Sequence, residues 1–216
     1  MPDNNFWLKV WENNDIPFHQ DDVKSELIDF FPLLNLQKNS NILIPLCGKS
    51  KDLLWLSEQG HQIIGIEISP IACENFFTEN NIQPSVIKKP SYLIYQNDNI
   101  RIICADLFQL TKDDFPTIHA IYDCKALIAL PPEMKKKYVQ HLLQCVGPEI
   151  QILLFNILTD DKVQGPPFPS SDAEIEMLYS DFQISKIKEE CHVDLQDHLI
   201  KKGYQKIYES VFLMKR

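Results

Sequence analysis

The first residues that could do chemistry lie in a turn and at the end of the strand predicted after it. Residues 42–44 form an apolar run of strand length, and residues 45–48 follow as a turn. Glu67 stands nineteen residues after Gly48, near the end of a second apolar run. In an open α/β sheet, an acid about 20 residues after such a turn receives the hydroxyl groups of a ribose. The spacing therefore indicates a ligand that contains a ribose.

The turn itself limits which ribose-containing ligand fits. A dinucleotide site normally uses three glycines, because they let the backbone approach a pyrophosphate at a helix N-terminus. The stretch PLCGKS holds one glycine, so a pyrophosphate is not indicated. S-adenosylmethionine has the ribose and adenine, but carries a short amino-acid chain with a sulfonium in place of the pyrophosphate. The turn favours this ligand; the alternative is a plain strand-to-helix turn, with Glu67 as a solvent-facing acid.

Two later strand ends should face the same crevice, because ligands bind outside the carboxyl ends of parallel strands. Asp106 and Leu107 follow the third strand, where a carboxylate could accept a hydrogen bond from an adenine amino group and apolar neighbours could cover the ring. Asp123 and Cys124 end the fourth strand, which lies beside the first in such a sheet. For both aspartates, a turn or helix-cap residue without a ligand is the alternative.

The rest of the chain supplies the elements that would position these residues. Apolar strand-length runs alternate with amphipathic helical patterns, which is typical of a doubly wound, mostly parallel α/β sheet. Ser69 before Pro70, and Ser171 with Glu174, predict two helix starts. Residues 206–214 predict a last, antiparallel strand paired with residues 183–187. The predicted strands are residues 42–44, 63–68, 100–104, 119–122 and 150–157, and the predicted helices are residues 51–58, 71–79, 133–145 and 173–179.

Length and composition limit the function further. The 216 residues, 44% hydrophobic and 24% charged, fit a single domain over residues 1–216. The net charge of −9 would repel a phosphate backbone, so nucleic acid is not expected as a partner. The first thirty residues carry acids and no continuous apolar stretch, so we expect no signal peptide, no membrane span and a cytoplasmic location. No cysteine pair has zinc-site spacing, so no metal is expected.

Several segments of the chain resemble the thiopurine S-methyltransferase family. They are FWLKVWENNDIPFHQ, PLCGKSKDLLWLSEQGH, GIEIS followed by ENFFTE, ALIALPPEMKKKY and GPPFPSSDAEIEMLY. The similarity covers nearly the whole chain, and the PLCGK turn joined to GIE and FHQ is highly specific. It implies the Rossmann-like class I methyltransferase fold, with seven strands and a helical cover formed by residues 1–36. It also implies S-adenosylmethionine as cofactor and a small-molecule thiol or related soft nucleophile as acceptor.

The resemblance also implies which residues contact the ligands. Two tryptophans four residues apart lie on one helix face and could close over the cofactor, although such a pair is also common in an ordinary core. Phe18 is implied near the acceptor, and we interpret His19 as a hydrogen-bonded loop residue rather than a catalytic base. The predicted cofactor contacts are Trp7, Trp11, Leu46, Glu67, Asp106 and Leu107 from the resemblance, together with Gly48 from the turn and Cys124 from its strand end.

The sequence departs from the family pattern where an arginine follows the strand-ending aspartate. Cys124 stands there, and we expect it to contact both cofactor and acceptor. His198 stands where a second arginine, associated with thiopurines, is expected. A thiol has neither the charge nor the planar donors of arginine, so thiopurines are doubtful acceptors and neutral or smaller acceptors are favoured. Lys125 is not expected to replace the arginine, because side chains near a strand end alternate in direction.

The predicted reaction is in-line displacement of the sulfonium methyl group by a thiolate. It depends on alignment and exclusion of water more than on a covalent intermediate, so no catalytic residue is assigned. Methylation of oxygen, nitrogen, selenium or tellurium acceptors stays an alternative, as does a non-catalytic S-adenosylmethionine-binding regulator. A nicotinamide-dependent oxidoreductase is disfavoured by the glycine-poor turn. We expect a monomer whose partner is a small-molecule acceptor.

Overall fold

A nine-stranded sheet runs through the computed structural model, which describes residues 3–147, 149–161 and 163–216. The strand order across the sheet is β3-β4-β5-β2-β1-β6-β7-β9-β8. The strands are β1 (Asn41–Ile44), β2 (Gln62–Glu67), β3 (Ser85–Lys88), β4 (Leu93–Asn97), β5 (Ile100–Cys104), β6 (Ala120–Cys124), β7 (Gln151–Leu158), β8 (Gln183–His192) and β9 (Ile207–Lys215).

Helices cover this sheet and begin where local signals predict. Ser69 caps the helix that starts at Pro70, because its side chain accepts from the Ala72 amide. Ser171 likewise accepts from the Glu174 amide, so both predicted starts are confirmed. The helices are α1 (Asn4–Glu12), α2 (Ser25–Phe30), α3 (Asp52–Glu58), α4 (Pro70–Glu79), α5 (Ala126–Ala129), α6 (Pro132–Val146), α7 (Asp172–Leu178) and α8 (Asp197–Lys201).

The pairing of the strands confirms the predicted doubly wound sheet. Strands β5, β2, β1, β6 and β7 are parallel, and β9 lies antiparallel between β7 and β8. These seven strands are the predicted set. Strands β3 and β4 add an antiparallel edge next to β5. The sequence pattern did not indicate β3, because all four of its residues are exposed and it has no buried face.

Two hydrophobic clusters lie on the two faces of the sheet. Leu43 and Ile64 belong to one cluster, whereas their chain neighbours Ile42 and Ile63 belong to the other. This alternation follows from the two-residue period of a strand, and it explains why the parallel strands are apolar throughout. Within the described part of the chain, none of the helices has both the length and the apolar character needed to cross a membrane.

Candidate cofactor and acceptor site

A cavity of about 1050 Å³ opens at the carboxyl ends of β1, β2, β5 and β6. Ligand sites of open α/β sheets lie at this edge. The structure therefore brings the predicted residues together, while their contacts with a ligand stay predictions. The predicted cofactor and acceptor residues that line the cavity are Trp7, Trp11, Phe18, Leu46, Gly48, Glu67, Asp106, Leu107 and Cys124.

The turn after β1 lines the cavity with Leu46, Cys47 and Gly48. Leu46 and Gly48 have φ angles of +47° and +55°, in the left-handed region that glycine enters without a steric penalty. A Cβ atom on Gly48 would stand 3.2 Å from Cζ2 of Trp11. Two features therefore favour glycine at position 48: the left-handed backbone conformation and the close packing of Trp11.

Glu67 is a buried acid whose carboxylate is held by the backbone. Its Oε2 accepts from the Gly48 amide at 2.9 Å, and its Oε1 accepts from the Ser69 amide at 2.8 Å. Burial raises the pKa of Glu67, and the two amide donors oppose that rise. The solvent-facing alternative is wrong, since Glu67 is 5% exposed. Each oxygen keeps capacity for a further donor, so the group can accept hydrogen bonds from a ligand.

Asp106 and the residues after it form the wall beyond β5. Asp106 Oδ1 accepts a hydrogen bond from the Phe108 amide at 2.9 Å, so Asp106 does act as a turn cap. The residue also lines the cavity. Leu107 is buried, and its carbonyl oxygen lies 2.9 Å from Nε2 of His141. Lys137 Nζ stands 4.4 Å from the centre of the Phe108 ring. These contacts hold an apolar wall in place beside a carboxylate.

The N-terminal helix α1 lies against the cavity at two points. Asn4 Nδ2 donates to Asp106 Oδ2 at 2.9 Å, which ties the start of α1 to the end of β5. Trp7 and Trp11 contact Phe18 edge-on, with ring centres 5.8 and 5.9 Å apart. The tryptophans therefore form an aromatic cover that also lines the cavity.

Cys124 ends β6 as a half-buried thiol in the lining. Burial, and then the charge of the nearby Asp52 carboxylate, raise the pKa of Cys124 to about 11. The thiol is therefore protonated at neutral pH. Asp52 itself is buried and accepts from the Lys24 amide at 3.0 Å and from Tyr122 Oη at 2.9 Å. Cys124 consequently brings no charge to the cavity.

Asp123, one residue earlier, has a structural role. Its Oδ1 accepts from the amides of Ala126 and Leu127 at 3.0 and 3.2 Å, and its Oδ2 accepts from Tyr138 Oη at 2.7 Å. Burial raises the pKa of Asp123 to about 6. Since its hydrogen bonds hold α5 and α6 to the end of β6, the alternative of a turn-cap residue is the correct one for Asp123.

Lys125 lies in the cavity lining, which strand alternation did not predict. The strand ends at Cys124, and Lys125 takes a left-handed conformation with φ +75° before α5. Its Nζ donates to the Phe18 carbonyl oxygen at 3.3 Å. His198, which is predicted to stand in place of the second arginine, is half-buried, and the exposed Lys202 also lines the cavity. The alternation rule failed because it applies only while the strand continues.

His19 also lines the cavity, and its contacts fit the loop interpretation. His19 Nε2 lies 3.6 Å from Asp21 Oδ1, and its backbone amide donates to the Ile16 carbonyl oxygen. Burial, and then the charge of Lys49, lower the pKa of His19. The interpretation of His19 as a loop residue stays a prediction.

A buried lysine fixes the proline-rich loop that closes one side of the cavity. Lys135 on α6 is fully buried and donates to the carbonyl oxygens of Phe168 and Pro169 at 3.0 and 2.9 Å, and to Ser170 Oγ at 2.6 Å. Burial lowers the pKa of Lys135, although Glu174 opposes that shift. The loop contributes Pro166 and Pro167 to the lining. The burial of this lysine was not predicted from the sequence, because it stands in a run of three lysines on a helix.

The family model for thiopurine S-methyltransferase matches residues 2–216. The chain belongs to this family. It is 36% identical over 211 residues to a thiopurine S-methyltransferase of Nitrosospira multiformis, covering 97% of this chain and 96% of the relative. It is 40% identical over 184 residues to that of Marinobacter nauticus, covering 84% of each chain. The predicted family membership is confirmed, and with it the prediction that the protein is a methyltransferase.

Solved structures show which fold the chain has. An S-adenosylmethionine-dependent methyltransferase of Anabaena variabilis superposes with a TM-score of 0.70 at 17% identity, covering 100% of this chain and 96% of the other. The 1,6-didemethyltoxoflavin-N1-methyltransferase of Burkholderia thailandensis gives a TM-score of 0.64 at 11% identity, covering 98% and 86%. That structure holds its acceptor and S-adenosylhomocysteine. At these identities the likeness concerns the fold, and the predicted class I methyltransferase fold is confirmed.

Proposed function

We propose that this protein transfers the methyl group of S-adenosylmethionine to a small-molecule thiol or a related soft nucleophile. The observation that carries the proposal is the buried Glu67 carboxylate, held by the Gly48 and Ser69 amides beside a turn with one glycine. This arrangement suits a ribose and offers no cradle for a pyrophosphate. The cavity of about 1050 Å³ has room for a cofactor and a small acceptor together.

The lining residues suit the parts of S-adenosylmethionine in turn. Glu67 would accept from the ribose hydroxyls, and Asp106 from the adenine amino group, with Leu107 against the ring. The turn at Leu46 and Gly48, which lines the cavity, would lie beside the amino-acid portion. Trp7 and Trp11 would cover the ligand, and Phe18 and Cys124 would face the acceptor. When bound, the cofactor supplies an electrophilic methyl group.

The chain itself contributes orientation and exclusion of water. The aromatic cover and the proline-rich loop enclose the acceptor side, where an attacking atom and a methyl group must be aligned. The high pKa of Cys124, about 11, keeps this thiol protonated and therefore a poor competing nucleophile. Aromatic and heterocyclic thiols ionise appreciably near neutral pH, so the acceptor can react without a dedicated base.

Two binding measurements and one activity screen test the proposal. S-adenosylhomocysteine should raise the melting temperature of the protein, whereas NAD should not, because only a ligand that binds the native state stabilises it. Labelled S-adenosylmethionine should then methylate members of a panel of aromatic and heterocyclic thiols. A melting shift with NAD alone would overturn the cofactor assignment.

The same screen separates the alternative acceptors. Transfer to selenium, tellurium, oxygen or nitrogen compounds, but not to thiols, would replace the acceptor class and leave the cofactor assignment standing. Tight S-adenosylhomocysteine binding without turnover on any acceptor would favour a non-catalytic regulator. A small-molecule acceptor, a monomeric state and a cytoplasmic location are parts of the same proposal. The acidic net charge of −9 supports the omission of nucleic acid from the expected partners.

A further inference from the structure

Lys125 has a backbone conformation that its residue type does not favour. It lies between β6 and α5 with φ +75° and ψ 0°, in the left-handed region that penalises residues with a Cβ atom. Sparsely populated conformations persist where the surrounding structure imposes them, and they cluster at functional sites. The side chain of Lys125 lines the cavity, and its Nζ donates a hydrogen bond to the Phe18 carbonyl oxygen.

The charge of Lys125 is not compensated by a carboxylate. Among the described residues, the ion pairs include neither Lys125 nor Lys202, whose Nζ donates to the Pro166 carbonyl oxygen. Lys49, by contrast, also lines the cavity and lies 2.7 Å from Glu79 Oε1. A carbonyl oxygen satisfies an ammonium donor but leaves its full charge available to an anion.

The two uncompensated amines act on the same part of the cavity. His198 has its pKa lowered by burial first, and then by the charges of Lys202 and Lys125. The charge of Lys125 also reaches Cys124, where it opposes the effect of burial on the pKa of the thiol. Both amines therefore lie at the end of the cavity where Cys124 and His198 lie.

The carboxylates at this end have partners of their own or are exposed. Glu209 lies 3.5 Å from Lys24, which neutralises it. Asp52 is buried and acts on Cys124 more strongly than Lys125 does, and it accepts hydrogen bonds from the Lys24 amide and Tyr122 Oη. Asp15, Asp194 and Asp197 also line this end, and all three are exposed. Of these, Asp15 acts on Lys202. Lys125 is half-buried, so its charge is less screened by solvent than theirs.

We propose that Lys125, assisted by Lys202, binds an anionic group of the acceptor, so that the preferred acceptor is a thiol with an apolar body and a carboxylate. This inference rests on the proposed function. It replaces the expectation of neutral acceptors, which considered only the loss of arginine at Cys124. The apolar body would lie against Phe18, Ile128 and Leu199, which line the cavity beside the amines.

The test compares 4-mercaptobenzoate with 4-mercaptobenzamide, which differ in charge but keep the same ring and thiol position. The measured quantity is the ratio of kcat/KM for the acid to kcat/KM for the amide. Lys125→Gly should lower that ratio roughly tenfold, as expected of one lost charge-assisted hydrogen bond, and Lys125→Arg should retain most of it. Glycine suits φ +75°, so the variant should fold. Lys136→Gln, an exposed lysine outside the lining, is the matched control and should leave the ratio unchanged.

A binding arm keeps the inference testable without turnover. The methylated product 4-(methylthio)benzoate is titrated by calorimetry into protein saturated with S-adenosylhomocysteine, and Lys125→Gly should weaken its binding by a similar factor. Equal ratios and equal product affinities in wild type and Lys125→Gly would overturn the inference. Methyl transfer to no thiol, with S-adenosylhomocysteine still bound, would overturn the proposed function instead, and the product affinities would then decide the role of Lys125 by themselves.

Discussion

Replacing Glu67 by glutamine tests the cofactor end of the cavity, because both oxygens of this carboxylate already accept backbone amides. The amides of Gly48 and Ser69 lie 2.9 and 2.8 Å away on the two oxygens. Glutamine keeps one accepting oxygen and turns the other position into an amino donor. In either orientation of the glutamine side chain, its NH2 group faces one of the two backbone N–H groups. At that position the side chain can no longer accept a hydrogen bond from a ribose hydroxyl.

The expected loss follows from the charge of the acceptor. A hydrogen bond to a charged group contributes about 1.5–3 kcal/mol, and about 1.4 kcal/mol corresponds to a tenfold change in affinity. Glu67→Gln should therefore weaken S-adenosylhomocysteine binding by roughly 10- to 100-fold, measured by calorimetry at neutral pH. Glu58→Gln, at an exposed position at the end of α3, is the matched control and should bind as the wild type does.

The pH dependence of the same titration adds a second readout. Burial raises the pKa of Glu67, so its carboxylate becomes protonated at a higher pH than the carboxylate of an exposed glutamate. The affinity of the wild type should then fall as the pH drops through that raised pKa, and Glu67→Gln should lack this component. Equal affinities in the two proteins at neutral pH would refute the assignment of Glu67 to the ribose.

Three further predictions address the fold and the acceptor side. Lys135→Met leaves three acceptors of the proline-rich loop, one of them buried and two half-buried, without this donor, so the free energy of unfolding in urea should fall by about 1–3 kcal/mol. Burial raises the pKa of Asp123 from 3.8 to about 6, so the native state binds the extra proton and stability should fall as the pH rises from about 4 to about 6. Asp123→Asn should flatten that slope in denaturation at several pH values. Cys124→Arg should raise kcat/KM for a carboxylate-bearing thiophenol more than for an uncharged one, while cofactor affinity stays within a few-fold.

The sequence predicted which residues meet at the proposed cofactor end, because local rules determine the geometry there. A strand, a turn and an acid at the next strand end occupy one edge of any parallel sheet, which is why Gly48 and Glu67 could be placed together from their spacing. The amide contacts of Glu67 could not be predicted in detail, since they depend on the left-handed turn at Leu46 and Gly48.

The acceptor end was harder to predict, because it joins segments that are distant in the chain. Lys125 contacts the carbonyl oxygen of Phe18, 107 residues earlier. Lys135 reaches the proline-rich loop more than thirty residues later. Neither contact has a local periodicity, and a lysine inside a run of lysines resembles a solvated helix face until the fold buries it. The edge strand β3 escaped prediction for the related reason that it buries no side chain.

This difference in construction has a functional consequence. The cofactor end consists of strand ends and backbone amides, so its shape is tied to the sheet itself. The acceptor end consists of side chains from a loop after α1, the turn after β6 and the region of α8, which the sheet does not constrain directly. Substitutions at Cys124 or Lys125 can therefore change the charge presented to the acceptor while Glu67 keeps its two amide contacts. In the proposed arrangement, the groups assigned to the acceptor and those assigned to the methyl donor are supported by different parts of the fold, so the acceptor can change while the donor is retained.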